Sequence, residues 1–394
     1  MQLTTNCLST TSSRQSVLFQ HHPIDPRLFL SVIVPARNEA DNLERSLHAL
    51  RNQQQANGLP LPSGLYEVLL LLNNCTDDSA SVATAYQQRY PAFPLRIAAI
   101  QLPAETANIG TVRRLLMDAA YERLIKVGKP SGIIASTDGD TVVDSQWVYQ
   151  IMQETQSGCE VVGGRILTQA DGNSVRRNHL RDVTYRMLVA QVEACLDPQT
   201  YDPWPRHFQH FGASLALTCE AYKRVGGLPN VPYLEDEALY RALVRTDTRI
   251  RKSPHVRVTT STRMHGQATV GFSEQLRYWA ALNRANKCQL AEPAGAVIRR
   301  FRSRSQLRSV WQNRFGLVNL DLLIPIATDL LIDLDWLRNE LLCNRYFGQL
   351  WENIEAKMAT GKWAVKWQPA PITETISELR LFLRTINSNG NPLR

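Results

Sequence analysis

The chain reads as an α/β protein, a doubly wound and mostly parallel sheet with a helical appendage at its C-terminal end. Three observations predict this. Continuous apolar runs rich in β-branched residues, FLSVIVPA from Phe29 and YEVLLLLN from Tyr66, have the length and flanks of strands buried on both faces. They alternate with segments of helical spacing, as strand–helix–strand units require. From residue 291 the alternation stops, and helical patterns dominate to residue 384.

Taken in order, residues 1–28 are expected to form a mobile tail, 29–290 the α/β domain and 291–394 the helical extension. The first strand leads into EADNLERSLHALRN, whose Leu43, Leu47 and Leu50 recur at helical spacing. NGLPLPSG from Asn57 is a loop by its Gly and Pro, and YEVLLLLN is the second strand. DDSASVATAYQQRY then reads as a helix, LRIAAIQL as a strand, NIGTVRRLLMDAAYERLIKV as a helix and SGIIASTD as a strand. A further strand, EVVGGRILT, precedes the long helical stretch SVRRNHLRDVTYRMLVAQVEACL. After Asp197 the rhythm breaks in DPQTYDPWPRHFQHFGAS, whose Pro and aromatic content fits an ordered loop lining something.

Composition bounds the function. The chain has 394 residues, 44% hydrophobic and 20% charged, which excludes disordered and fibrous classes and allows a large core. A net charge of +8 suits a partner carrying phosphates, whether a nucleotide, an anionic lipid surface or a nucleic acid. The seven cysteines are odd in number and scattered, without CxxC or zinc spacing, as in a reducing cytoplasm. The first thirty residues hold no apolar run long enough for a signal-peptide core. The apolar segment Gly316–Leu337 carries Asp321, Asp329, Asp333 and Asp335, prohibitive across a bilayer, and is expected to be one buried or amphipathic helix.

Two acidic motifs carry chemistry. Asp138, Gly139 and Asp140 close a strand, where two hard oxygen donors with open positions suit Mg²⁺ or Mn²⁺ bridging a diphosphate. A plain strand-end turn with helix-capping acids is the other reading. Glu235 and Asp236, in YLEDEALYRAL, stand at a predicted helix start, where a carboxylate can serve as general base or simply complement the helix dipole.

These motifs, with VIVPARNE on the first strand, NNCTDDS after the second, ANIGTVRRLLMDAA on the third helix and the later GASLAL, YKRVGGLP and LEDEALYRAL, resemble glycosyltransferase family 2 of the GT-A fold over residues 29–285. The resemblance implies a hexosyltransferase-like enzyme with a nucleotide-diphospho-sugar donor, a divalent Mn²⁺ or Mg²⁺ and inversion at the anomeric carbon. It assigns Pro35, Ala36, Arg37 and Glu39 to the donor's base and ribose, Asp138 to the donor and, with Asp140, to the metal, and Asp236 to the base with Glu235 as neighbour or substitute. Asn73 falls where the family commonly has an acid pairing with the nucleotide base; it keeps a carbonyl acceptor without the charge. Arg113 and Arg114 match basic positions that hold donor phosphates or face solvent. His265, in TRMHGQ, is a candidate third metal ligand or a structural histidine.

On the acceptor side stand Gly163, Gly164, Arg165 and the GAS segment at Gly212, which a strand-end turn explains as well; Trp204, Phe208 and Phe211 either stack on a sugar or fill the core. QLRYW, with Gln275, Arg277 and Trp279, departs in spacing from the QxxRW of processive members, so one sugar is expected to be transferred to an unidentified acceptor. Two other classes compete. A nucleotidyltransferase would show a Gly-rich loop after the first strand, and PARNEADN contains no Gly. A non-catalytic sugar-nucleotide or nucleic-acid binding protein would not need both DGD and LEDE, and no nucleic-acid motif accompanies the arginines. Arg299, Arg300, Arg302, Arg304, Arg308 and Arg314 lie in one run without an acid, the pattern of a face for an anionic membrane, of a solvated helix face, or of arginines paired with the acids from Asp321 to Asp335. The expected location is therefore cytoplasmic, peripheral at the inner face of a membrane if that run docks there.

Overall fold

The structure, a computed structural model, describes residues 18–168, 175–261, 271–314 and 320–388. In chain order its elements begin β1 (Leu30–Ala36), α1 (Ala40–Arg51), β2 (Tyr66–Asn73), α2 (Ser79–Arg89), β3 (Leu95–Ile100), α3 (Ile109–Lys126), β4 (Ile133–Ser136), β5 (Val142–Val143), α4 (Trp147–Gln156) and β6 (Val161–Thr168). They continue α5 (Arg176–Leu196), a 3₁₀ turn (Gly212–Ser214), β7 (Leu215–Thr218), α6 (Cys219–Arg224), α7 (Glu235–Arg245), β8 (Ile250–Thr260) and α8 (Phe272–Arg284). The remainder is β9 (Leu290–Ala291), α9 (Ala294–Gln312), α10 (Leu320–Leu330), α11 (Leu334–Cys343), α12 (Phe347–Thr360), α13 (Lys362–Lys366), β10 (Ala370–Pro371) and α14 (Ile372–Ser388).

The chain divides into two compact units. The first comprises residues 1–170, 209–242 and 249–274, the second 171–208, 243–248 and 275–394. The division differs from a single cut at residue 290, because α5 groups with the C-terminal helices.

The first unit is built on an eight-stranded sheet in the order β3-β2-β1-β4-β7-β6-β8-β5. The pairs β1–β2, β1–β4, β2–β3 and β6–β8 are parallel, whereas β4–β7, β6–β7 and β5–β8 are antiparallel. Every residue of β1 and β2 is buried, which is why both read as unbroken apolar runs rather than alternating ones. β3, at the edge, is half exposed. Asn108 caps α3, its side chain accepting the Thr111 N–H at 2.9 Å. In this order β1 lies between β2 and β4, so the carboxyl ends of β1 and β4 flank the point where the winding reverses and where open α/β sheets bind ligands.

Residues 18–28 depart from the mobile tail expected there. Phe19 and Leu28 are buried, and Arg123 donates from Nη1 to the carbonyls of Phe19 at 3.1 Å and His22 at 3.0 Å. Arg123 is itself buried in a two-pronged pair with Glu67, whose Oε1 also accepts the Ser31 hydroxyl. A guanidinium with this much hydrogen-bonding capacity orders the segment that supplies its acceptors.

In the second unit the single helix expected over Gly316–Leu337 is two, α10 and α11. The chain reverses at Leu331, whose φ is 58°, and Asp333 accepts the Trp336 N–H at 2.8 Å to start α11. Among the described residues no helix is long and apolar enough to cross a membrane.

Most of the arginine run lies on α9, and of the readings its sequence allows the structure shows mainly paired arginines. Arg299 pairs with Asp329 at 2.5 Å, Arg300 with Glu292 at 2.8 Å, Arg304 with Glu193 at 2.6 Å and Asp197 at 2.5 Å, and Arg308 with Asp197 at 3.1 Å. Arg314 stacks on the Trp311 ring, and Arg302 is exposed. Asp329 belongs to the acidic segment from Asp321 to Asp335 expected as one source of partners, whereas Glu193, Asp197 and Glu292 lie before the run. Cosedimentation at low salt is accordingly expected to show no preference for anionic over neutral vesicles. A preference that high salt removes would restore the membrane-facing reading.

Candidate active site

The site is assembled in the first unit at the carboxyl ends of β1, β2 and β4. Gly139 is set against the β1 turn so closely that a Cβ there would stand 3.2 Å from both the Ala36 Cβ and the Glu39 Cγ. Its carbonyl accepts the Ser46 hydroxyl at 2.9 Å, which ties the DGD turn to α1. Pro35, Ala36 and Glu39 are buried here, and Arg37 is exposed, with Nη1 donating to the Ala107 carbonyl at 3.5 Å. Glu39 heads α1; its N–H donates to the Ser79 hydroxyl and its carboxylate accepts from Asn42. Asp77, from NNCTDDS, accepts the N–H groups of Ala40 and Ser79 at 3.0 and 3.1 Å, so it caps the starts of α1 and α2. Asn73 ends β2 at 4% exposure, and its side-chain oxygen is buried with no partner.

Arg113 is the hub. Its guanidinium donates from Nε to Glu235 at 2.8 Å, from Nη1 to the Gly212 carbonyl at 3.1 Å and to the Ser136 hydroxyl, and from Nη2 to Asp138 at 3.0 Å. Four of the five N–H bonds of a guanidinium are thus directed to protein oxygens. Of the two expectations for Arg113, holding donor phosphates or facing solvent, the second does not hold, since the side chain is buried among these acceptors. Gly212 must be glycine for the same reason, since a Cβ would lie 2.6 Å from the Arg113 Cζ. Burial works against the charge on Arg113, but the carboxylates of Asp138, Glu235 and Asp236 outweigh it and raise its pKa. Arg114 stays on the surface beside Asp118.

The acids separate into distinct environments. Glu235 is buried and paired with Arg113. Asp236 is partly exposed; its Oδ2 accepts the Gly212 N–H and its Oδ1 the Glu237 N–H, both at 2.8 Å. Glu237 pairs with His210 at 2.7 Å and Arg241 at 2.8 Å. The hydrogen bond from His210, then that from Arg241, overcomes burial and holds Glu237 down to about 2. The stability it contributes is complete above the usual carboxylate range and is lost as pH falls toward 2. Asp138 moves the other way: burial raises it against the pull of Arg113, with Asp140 and Glu235 adding to the rise. Asp140 accepts the Ser261 hydroxyl at 2.8 Å.

His265 lies outside the described residues. Among those described, no three His, Cys, Asp or Glu side chains cluster to hold a metal. Asp138 and Asp140 nevertheless fit a hard divalent ion. Both are carboxylates, the hard oxygen donors such an ion prefers; Asp138 accepts from Arg113, and Asp140 from Ser261 and Thr141.

The acceptor-side candidates divide. Gly163 and Gly164 are required by close packing, since Cβ atoms there would meet the Gln209 carbonyl at 2.7 Å and the Ser214 hydroxyl at 2.0 Å; Arg165 is exposed. Trp204 and Phe208 belong to the second unit, Phe208 beneath Arg186, while Phe211 in the first has its ring 5.0 Å from His210. Ser136, His210 and Glu237 went unrecognised in the sequence. HFQHFGAS offered a histidine two residues before the glycine, but nothing in it indicated which carboxylate the imidazole meets.

Residues 31–217 match the family described as Glycosyl transferase family 2. A stretch of 141 residues is 28% identical to Glycosyltransferase AglE of Haloferax volcanii; it covers 35% of this chain and 39% of that protein, well short of the relative's full length. Among solved structures, the mannosyltransferase PcManGT from Pyrobaculum calidifontis, in complex with GDP-Man and Mn²⁺, is similar at 15% identity and a TM-score of 0.41, over 93% of this chain and 82% of that one. S. aureus TarS 1-349 in complex with UDP-GlcNAc is similar at 16% identity and a TM-score of 0.43, over 85% and 92%.

Proposed function

We propose that this chain, whose residues 31–217 match glycosyl transferase family 2, moves one sugar from a nucleotide-diphospho-sugar to an acceptor hydroxyl, with a divalent metal and inversion at the anomeric carbon. The observation that carries the reading is the Arg113 hub, which ties Asp138 of the DGD turn after β4 to Glu235 at the start of α7. Asp138 and Glu235 share one buried cation at the sheet edge where open α/β sheets bind ligands, which brings acids from both motifs to one place.

Asp138 and Asp140 would hold the metal, which when bound supplies positive charge for the donor's diphosphate. Pro35, Ala36, Arg37 and Glu39 line the nucleoside side. The unpartnered Asn73 oxygen supports a base presenting an N–H to it, because a buried acceptor left unmade is costly. The acceptor hydroxyl attacks the anomeric carbon from the face opposite the diphosphate. The new C–O bond forms as the bond to the diphosphate oxygen breaks, and the nucleoside diphosphate leaves with the electron pair. The hydroxyl proton passes to Asp236. Of the three acids at the start of α7, Asp236 is the one held by backbone N–H groups, whereas Glu235 and Glu237 are paired with cationic or imidazole side chains. Glu235 then serves to place Arg113.

The test is nucleotide-dependent stabilisation. UDP and GDP are expected to raise the melting temperature in Mn²⁺ and to lose most of that effect in EDTA, and Asp140→Ala should remove the difference between the two conditions while still melting cooperatively. Equal stabilisation with and without metal in the native chain would overturn the metal assignment.

A further inference from the structure

We propose that His210 is a positioning residue for transfer, a clasp that holds the Asp236 carboxylate in its working orientation; this rests on Asp236 being the base. The Asp236 carboxylate is gripped by two backbone N–H groups, those of Gly212 and Glu237. His210 controls both. It lies two residues before Gly212 in the chain, and its Nε2 meets the Glu237 carboxylate at 2.7 Å. A closed ring results, running from His210 through Phe211 and Gly212 to Asp236, on to Glu237 and back to the imidazole.

The surroundings leave His210 little freedom. Its ring stacks on Tyr240 with centroids 3.7 Å apart and planes 11° from parallel. Its side chain is 13% exposed, and Nδ1 is buried with no hydrogen-bond partner. An ionised carboxylate only accepts, so the Nε2 proton points at Glu237. With Nδ1 enclosed and Nε2 occupied, the imidazole has no atom to offer a substrate. Its place is behind the carboxylate. On one side the neighbouring Gln209 is pinned to the sheet by reciprocal bonds to the Ile166 N–H and carbonyl at 2.8 and 3.0 Å. On the other, the Gly212 carbonyl is locked by Arg113 and Ser136. From the segment 209–212 the His210 side chain reaches α7 at both Glu237 and Tyr240, and through these contacts it sets the spacing between the two N–H groups that hold the base.

The experiment compares His210→Ala, His210→Gln, Glu237→Ala, the double variant and Asp236→Asn in the full chain. Each is assayed for nucleoside diphosphate affinity in Mn²⁺ and for kcat and KM of nucleoside diphosphate release from the UDP- or GDP-sugar that the native chain turns over. His210→Ala is expected to lose about 10²-fold in kcat, the scale of a small misplacement of a catalytic group, with donor KM and nucleotide affinity unchanged. His210→Gln, which keeps an N–H for Glu237, should recover most of the loss. Glu237→Ala should match His210→Ala, and the double variant should fall no further, because the pair acts as one unit. Native kcat in His210→Ala overturns the clasp, as do additive losses in the double variant or a glutamine variant no better than alanine. If His210→Ala does not fold, Glu237→Ala and His210→Gln make the same decision. Asp236→Asn separates the two levels: near-native turnover there overturns the base assignment and the clasp together, whereas an inactive Asp236→Asn beside a fully active His210→Ala overturns the clasp alone.

Discussion

Asp236→Asn is expected to bind nucleoside diphosphate as the native chain does and to lose about 10²–10⁴ in turnover, the usual contribution of a general base. The amide oxygen can still accept one of the two N–H groups that hold the carboxylate, from Gly212 or from Glu237. Its NH₂ must then face the other donor, so a modest loss of stability accompanies the loss of chemistry, and the melting temperature has to be read beside the rate. Release of nucleoside diphosphate from a UDP- or GDP-sugar under saturating donor measures the effect. If Asp236→Asn turns over normally and a folded Glu235→Gln does not, the base is Glu235. That outcome would mean the Glu235–Arg113 pair opens when substrate binds.

Arg113→Met is expected to cost about 3–5 kcal/mol of folding stability, the range for removing one partner of a buried pair. The cost arises from what remains: Glu235 loses its cation while staying buried, Asp138 loses its strongest neutralising neighbour, and the Gly212 carbonyl keeps only the Ser136 hydroxyl. Removing the stranded charge as well, in Arg113→Met with Glu235→Gln, should regain part of the stability, since a neutral amide is far cheaper to bury than an unpaired carboxylate. Urea denaturation at neutral pH measures both variants. An Arg113→Met chain within about 1 kcal/mol of native, no more than an exposed ion pair is worth, would show that the hub is not holding the acids together.

The core strands were legible because burial on both faces writes itself into the sequence as an unbroken apolar run, and β1, β2 and β4 need nothing else to be recognised. DGD and LEDE were legible as acids at a strand end and a helix start, since both positions follow from local pattern. The α9 arginines show the limit of that reading. Their charge is local information, but their partners Glu193, Asp197, Glu292 and Asp329 lie outside the run, and pairing across such separations is fixed only by packing. The ordered segment 18–28 escaped notice for the same reason, since its anchor is Arg123, about a hundred places away along the chain in the sense that loop closure counts distance.

By itself the sequence determined the fold class, the family that residues 31–217 match and the acids around which the proposed site is built. Only the tertiary structure decided how those acids differ. Glu235, Asp236 and Glu237 are consecutive and chemically similar, yet one is buried on Arg113, one is held by two backbone N–H groups and one is fastened to His210. Which carboxylate can take a proton depends on what each oxygen touches. Those contacts come from α3, from the turn at Gly212 and from His210 just before it, parts that hydrophobic burial brings together with α7 and no local pattern pairs in advance.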